Sequence, residues 1–270
     1  MGFPLPPYVP HVFRHVQESR RRQTRCGGNP MNINKKTYSL VVAGFVLSMT
    51  WFVRPAIAAE TEPMFKYFQL ETDYADWGSN KREVTWEGSG WYGGDTEKIW
   101  VKTEGEWGDG DLEEAEVQAL YSRNIARFWD VQAGVRHDFR PDPTNYFAAA
   151  LVGLAPYWFE LDTSLFVSDE GDVSLRGQAE YELLLTQKLI LSPYGEVNIF
   201  ASDVPEQEVG AGIANIDTGL QLRYEIRREF APYIDFNYVG LFGETKSLAE
   251  ADNKDANDFT VRLGVRFWLN

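Results

Sequence analysis

The sequence predicts an all-β fold, a transmembrane up-and-down antiparallel β-barrel of about twelve strands with an N-terminal signal peptide. Three observations carry this expectation. Apolar and polar residues alternate with period two in recurring short segments from residue 64 onward. The two faces of those segments are charged and apolar in an inside-out sense, and the first sixty residues read as an export signal.

No window after residue 64 sustains a 3.6-residue apolar period, whereas segments of ~10 residues with strict alternation follow one another between polar turns. In Lys98-Ile99-Trp100-Val101-Lys102-Thr103-Glu104-Gly105-Glu106-Trp107 the charged side chains share one face, and Ile99, Val101 and Trp107 share the other. Strands are expected at 65–75, 83–92, 97–107, 113–122, 129–139, 145–154, 157–167, 172–183, 188–200, 214–226, 231–242 and 258–268. An even number suits a bacterial single-chain barrel with both ends in the periplasm. Short turns such as Gly93-Gly94-Asp95, Ala155-Pro156 and Arg227-Arg228-Glu229 are assigned to the periplasmic side. Longer acidic connections, Gly108 to Asp111, Ser168 to Asp172, Ser202 to Gly212 and Glu244 to Asn257, are assigned to the outside.

A soluble β-sandwich would also alternate, so the character of each face decides. The inward set contains Glu71, Asp73, Glu87, Lys102, Glu104, Glu116, Arg136, Asp138, Glu160, Asp162, Arg176, Glu180, Glu196, Arg223, Asp235, Arg262 and Arg266. That is too charged for a dry sandwich core. The opposite face carries Val131, Ala133 and Val135, then Leu161 and Leu165, Leu220, Leu222 and Tyr224, and Val261, Leu263, Val265 and Phe267. Charge inside and apolar surface outside is what lipid selects. Trp91-Tyr92, Tyr121, Phe128-Trp129, Tyr157-Trp158 and Trp268 lie at strand ends and are read as interfacial girdles.

The export signal begins at Met31, with Lys35-Lys36, an apolar stretch from Tyr38 to Val53 and small residues through Ala58-Ala59. The apolar stretch is shorter than the ~20 residues of a spanning helix. Residues 1–30 are read as an upstream extension, 31–58 as a Sec- or Tat-type signal peptide cleaved near Ala58/Ala59, 59–63 as a short lead and 64–270 as the barrel. Cleavage removes Cys26, the only cysteine, so neither a disulfide nor a thiolate metal site is available. It leaves 18 basic residues against 39 acidic ones. Such acidity excludes nucleic acid as a partner, which needs clustered Lys and Arg, and suits cations. Eight tryptophans in the same stretch argue against disorder.

Candidate chemistry is sparse. His137 is the only histidine after the signal, so no catalytic triad is proposed. By alternation it faces lipid and is read as dispensable. Lumenal carboxylates Glu71, Asp73, Glu104, Glu106, Glu116, Glu160, Asp162 and Glu180 are the candidate metal contacts. Oxygen ligands would hold Cu(II) weakly and exchangeably, whereas tight Cu(I) binding needs sulfur, and Met64 is the only methionine left. The arginines facing these acids are expected to pair with them, leaving a narrow, partly blocked lumen that favours cations.

Longer strings carry a family resemblance across residues 64–268. They are Trp86-Glu87-Gly88 with Trp91 and Gly93-Gly94-Asp95; Lys98 to Glu106; Glu116 to Arg123; Asp130 to Arg136; Asp138 to Pro143; Gly153 to Glu160; Leu183 to Leu191; and Arg223 to Tyr233. They resemble the CopB family of copper-resistance outer-membrane proteins. The resemblance implies an outer-membrane barrel that is not an enzyme, that binds or passes copper, and that works beside a periplasmic multicopper oxidase. One departure stands out: many members carry a Met- and His-rich segment before the barrel, where this sequence has Ala59 to Pro63. The alternatives are a narrow non-specific cation channel, a passive structural barrel, or a barrel enzyme such as a lipase or protease.

Overall fold

The computed structural model describes residues 63–77, 82–108, 110–251 and 255–269. The signal peptide, its cleavage site and residues 1–62 lie outside the described residues. Twelve antiparallel strands are found among those described: β1 (Phe65–Trp77), β2 (Glu83–Gly93), β3 (Glu97–Gly108), β4 (Asp111–Ala126), β5 (Trp129–Arg140), β6 (Thr144–Ala155), β7 (Phe159–Ser168), β8 (Val173–Glu180), β9 (Leu189–Phe200), β10 (Gly212–Tyr224), β11 (Phe230–Leu241) and β12 (Asn257–Leu269). Each pairs with its neighbours in sequence. β12 returns to pair with β1, Phe267 opposite Leu70 and Arg266 opposite Glu71, so the sheet closes and leaves no edge.

Alternation fixes which side chains line the interior. Along β9, Ile190, Ser192, Tyr194, Glu196, Asn198 and Phe200 are buried, and the intervening residues face outward. The same rule turns Val131, Val135, Leu165, Leu220, Leu263 and Phe267 outward, where they form the apolar belt of a membrane-spanning barrel. Inside, most of the fully buried large side chains are polar, Arg262, Gln132, Glu83 and Asn237 among them. The core of this molecule is therefore a hydrogen-bonded interior surrounded by an apolar shell.

Several local features depart from the expected pattern. β7 starts at Phe159 because Tyr157 (φ 70°) and Trp158 (φ 67°) adopt left-handed backbone in a turn after Pro156. The two residues are 83% and 66% exposed, as an interfacial girdle requires. Tyr92, Tyr121 and Phe128 are exposed at the same end of the barrel. Trp91 and Trp268 are a correction to the girdle reading. Both fall on the inward parity, where Tyr67 stacks between them and Trp91 reaches Trp100, giving an aromatic layer inside the barrel near the chain ends.

β8 is interrupted at Tyr181-Glu182 and resumes in the same register at Leu183–Leu184. Opposite the break stands Pro193, whose carbonyl accepts from Tyr181 but which has no N–H to return the bond. Two tyrosines lie flat against glycines of the neighbouring strand. A Cβ at Gly219 or Gly264 would collide with the ring of Tyr194 or Tyr233.

The difference in turn lengths rests chiefly on two connections, because the one between β5 and β6 spans only 141–143. The β9–β10 connection buries Val204 and Val209 against Phe200 and Ala214. The β11–β12 connection holds a helix that the acidic loop composition did not suggest, α1 (Gly243–Ala251), entered through Gly243 at φ 57°. Thr245 Oγ1 of α1 accepts from the Gly210 N–H (3.0 Å), and Gln207 donates to the Tyr146 hydroxyl on the barrel wall (2.6 Å). The two connections thus pack on each other over the rim away from the chain ends.

Candidate functional site

Strand register arranges the lumen in rows that run across the strands. One row begins at Arg266 and continues Glu71, Glu87, Glu104, Glu116 and Asp138 on β1 to β5, each directly opposite the next. Strands in a barrel tilt by ~35–45°, so a row perpendicular to them climbs as it winds. It runs from Glu71, inside the barrel, to Asp138 near the loop-side end of β5. The next row reads Gln69, Ser89, Lys102, Gln118, Arg136 and Tyr146, a set of donors.

Opposed like charges destabilise a sheet by roughly 0.2–1 kcal/mol per pair, so four successive acid–acid pairs need compensation. Neighbouring donors supply it. Gln69 donates to Glu71 (2.8 Å), Gln118 to Glu116 (2.7 Å), and Arg136 to both Asp138 oxygens (2.6 and 2.8 Å) while pairing with Glu116 (2.7 Å). Arg266 pairs with Glu71, to which Gln221 also donates from across the lumen (3.2 Å). Arg136 is further held over the rings of Tyr146 and Phe166 at 5.1 and 4.8 Å.

Ion pairs also span the interior between distant strands, among them Arg266 to Glu182 at 3.8 Å. Lys102 of β3 reaches Asp162 of β7 at 2.9 Å, both largely buried. Arg176 of β8 reaches Glu104 of β3 (3.7 Å) and Glu116 of β4 (3.6 Å), with Glu196 of β9 at 3.6 Å on its own side. These straps make the lumen narrow at mid-height. A third assembly lies nearby. Arg262 pairs with Asp235 (3.5 Å) and donates to Asn237 (2.8 Å), Tyr194 donates to Asp235 (2.9 Å), and Asp73 accepts from Thr85 (2.5 Å) and Tyr233 (3.1 Å). Arg223 pairs with Glu182 (2.6 Å). All five lumenal arginines expected to pair with acids do so.

All eight candidate carboxylates face the lumen, but they are dispersed. Glu71, Glu104 and Glu116 belong to the acidic row; Asp162 is held by Lys102; Glu160 and Glu180 oppose each other on β7 and β8; Asp73 is bound by hydroxyls; and Glu106 is buried opposite Thr85. Among the described residues no group of three or more His, Cys, Asp or Glu is arranged to hold a metal ion. Glu182 and Asp217 belong to the lining and were missed. Glu182 sits in the interruption of β8, and Asp217, which accepts from Asn237 (2.5 Å), follows a register shift in the β9–β10 pairing that blurs the alternation.

His137 lies on the outer face, between Val117 and Asn145 on the flanking strands. Its Nδ1 is 2.9 Å from Asn145 Oδ1, its ring meets Phe139 edge-on at 4.5 Å, and Asn145 donates to Asp169 (3.0 Å). It touches none of the lumenal groups. A His137→Ala barrel is expected to fold and to support growth on copper like the parent. Lost tolerance at normal levels of folded barrel would show that an outer-face imidazole takes part.

The family model described as copper resistance protein B precursor (CopB) matches residues 65–269. Copper resistance protein B of Escherichia coli is 42% identical over 202 residues, covering 74% of this chain and 67% of that protein. The copper resistance protein B homolog of Pseudomonas syringae pv. tomato is 38% identical over 202 residues, covering 74% and 68%. Among solved structures, the NanC porin has TM-score 0.52 at 14% identity, with 74% of this chain and 98% of that one covered, a likeness of fold. With its family model spanning the whole barrel and two curated relatives at this level of identity, the chain belongs to the copper resistance protein B family.

Proposed function

We propose that this barrel sits in the Gram-negative outer membrane and passes copper ions along its lumen, holding them weakly and exchangeably on carboxylates, and thereby contributes to copper tolerance. The observation that carries the reading is the lumenal charge. Among the described residues eleven buried acids stand against six buried bases, and the partly buried Glu104 and Glu116 join three of those acids in the continuous row from Glu71 to Asp138. An acid-rich lining lowers the energy of a cation in the pore and raises that of an anion. Dispersed carboxylates, none gathered into a closed cage, suit transit better than storage. Oxygen donors favour Cu(II), and Met64, just before β1, is exposed and carries the only sulfur among the described residues.

The outward neighbours of His137 are Val117, Val135, Phe139 and Asn145, which offer no hydroxyl for an imidazole to activate, and this supports a transport reading over a histidine-based enzyme. A periplasmic multicopper oxidase is the partner expected beside such a barrel. The test is growth of a deletion strain carrying the gene or an empty vector across copper, zinc and silver series, with cell copper measured. A copper-selective difference in both growth and content supports the reading. Equal sensitivity to all three metals, with unchanged copper content, would make the barrel a passive structural one.

A further inference from the structure

The straps that Lys102 and Arg176 make across the lumen differ in kind. Lys102–Asp162 is a short pair at 2.9 Å. Arg176 is instead shared by three acids at 3.6–3.7 Å, in contrast to Arg136, whose guanidinium makes a 2.6 and 2.8 Å fork with Asp138. Two of the three acids, Glu104 and Glu116, lie on β3 and β4 across the lumen; the third, Glu196, lies on β9 beside the strand that carries Arg176. The guanidinium also rests over the Phe166 ring, 5.4 Å from its centroid, a face along which it can slide while keeping cation–π contact. A cavity opens at the same place, bordered by Lys102, Glu104, Glu116, Asp162, Ser164 and Arg176. The cavity has space for about one water beside the guanidinium, and Glu196 already stands 3.6 Å from it on its own side.

We propose that Arg176 is a cation-displaced gate: a cation arriving at Glu104 and Glu116 takes over the charge that the guanidinium supplies there, and Arg176 withdraws to Glu196, parting the lumen. This deepens the passage reading above and rests on it. Both states are charge-compensated, which is what keeps the switch affordable in a buried setting. In the closed state Arg176 neutralises the far wall, and in the open state the transported ion does. Removing a partner without replacement would instead leave a buried charge unpaired. The cation shifts the population because it binds the far-wall acids only when Arg176 has left them. Lys102 stays on Asp162 and narrows the opening without sealing it.

The experiment is single-channel recording of the purified, refolded barrel in planar bilayers in potassium chloride, before and after adding Cu(II) chloride. The parent should conduct weakly and gain several-fold with Cu(II). Arg176→Gln should conduct at the raised level without copper and respond little to it, while Arg176→Lys, which retains the charge, should remain copper-responsive. Should Arg176→Gln not fold, the paired variant Glu104→Gln with Glu116→Gln removes the far-wall anchors, leaves Arg136 on Asp138, and should likewise conduct without copper. Equal conductance in the parent and every folded variant, with cation preference intact, overturns the gate and leaves the passage reading standing. Raised conductance in the variants with neither cation preference nor a parental response to Cu(II) overturns displacement by a cation and counts against passage itself.

Discussion

Arg262→Ala should be among the most destabilising single substitutions in the barrel, costing about 3–5 kcal/mol. Arg262 and Asp235 have side chains only 1% exposed, and the guanidinium also donates to Asn237. Truncation removes the cation but leaves Asp235 in place, with Tyr194 as its neutral donor. An uncompensated buried carboxylate dominates the cost, which exceeds that of the cavity created by the lost side chain. The measurement is urea unfolding in detergent micelles, followed by the loss of heat-modifiable migration on a gel. A matched Arg262→Met with Asp235→Leu should recover most of the stability, because both charges then leave together. A midpoint for Arg262→Ala equal to the parent's would mean that water reaches this pair and screens it.

Glu104→Gln with Glu106→Gln should weaken cation preference while leaving the barrel folded. Gln preserves shape and hydrogen-bonding capacity, and Lys102 keeps its partner, since that partner is Asp162 and not an acid of its own strand. At an effective dielectric constant of ~20, a unit charge ~8 Å from an ion contributes about 2 kcal/mol, so two neutralised acids are enough to change selectivity by more than tenfold. The reversal potential under a salt gradient should move toward zero, and copper flux into liposomes should fall with it. Unchanged values for both in the folded double variant would show that these acids only fill the lumen, and that copper handling resides in the acidic loops or in a partner.

Much of this was legible in the sequence. The inward set, from Glu71 to Arg266, followed from period two alone, because a strand side chain has only two faces and the apolar face identified itself. Strand positions agreed within a few residues for the same reason. The acidic row was not legible, since it depends on which residue of one strand stands opposite which of the next. That register is set by turns and by irregularities such as those at Glu106/Trp107 and Ala115/Glu116. Nor could Lys102–Asp162 be foreseen, as contacts across an interior depend on tilt and diameter rather than local pattern. Trp91 and Trp268 misled because position at a strand end suggests a membrane interface, while parity, the stronger signal, placed both rings inside. Helix α1 was hidden by its polar composition, being held by Gly210 and the neighbouring loop instead of by an apolar stripe.

The rows across the strands also constrain how such a gene can change over time. Inserting one residue directly after Lys98 would shift every later position of β3 by one and exchange its two faces from there on, delivering Lys102 and Glu104 to lipid and Val101 to the lumen. Inserting two would preserve the faces but slide Glu104 out of line with Glu87 and Glu116, breaking the acidic row while leaving a foldable barrel. Length variation among descendants of this chain should therefore accumulate in the loops. Where it enters a strand it should come in pairs, and a paired insertion that persists in β1 to β5 would mark a lineage in which the continuous acidic path is no longer under selection.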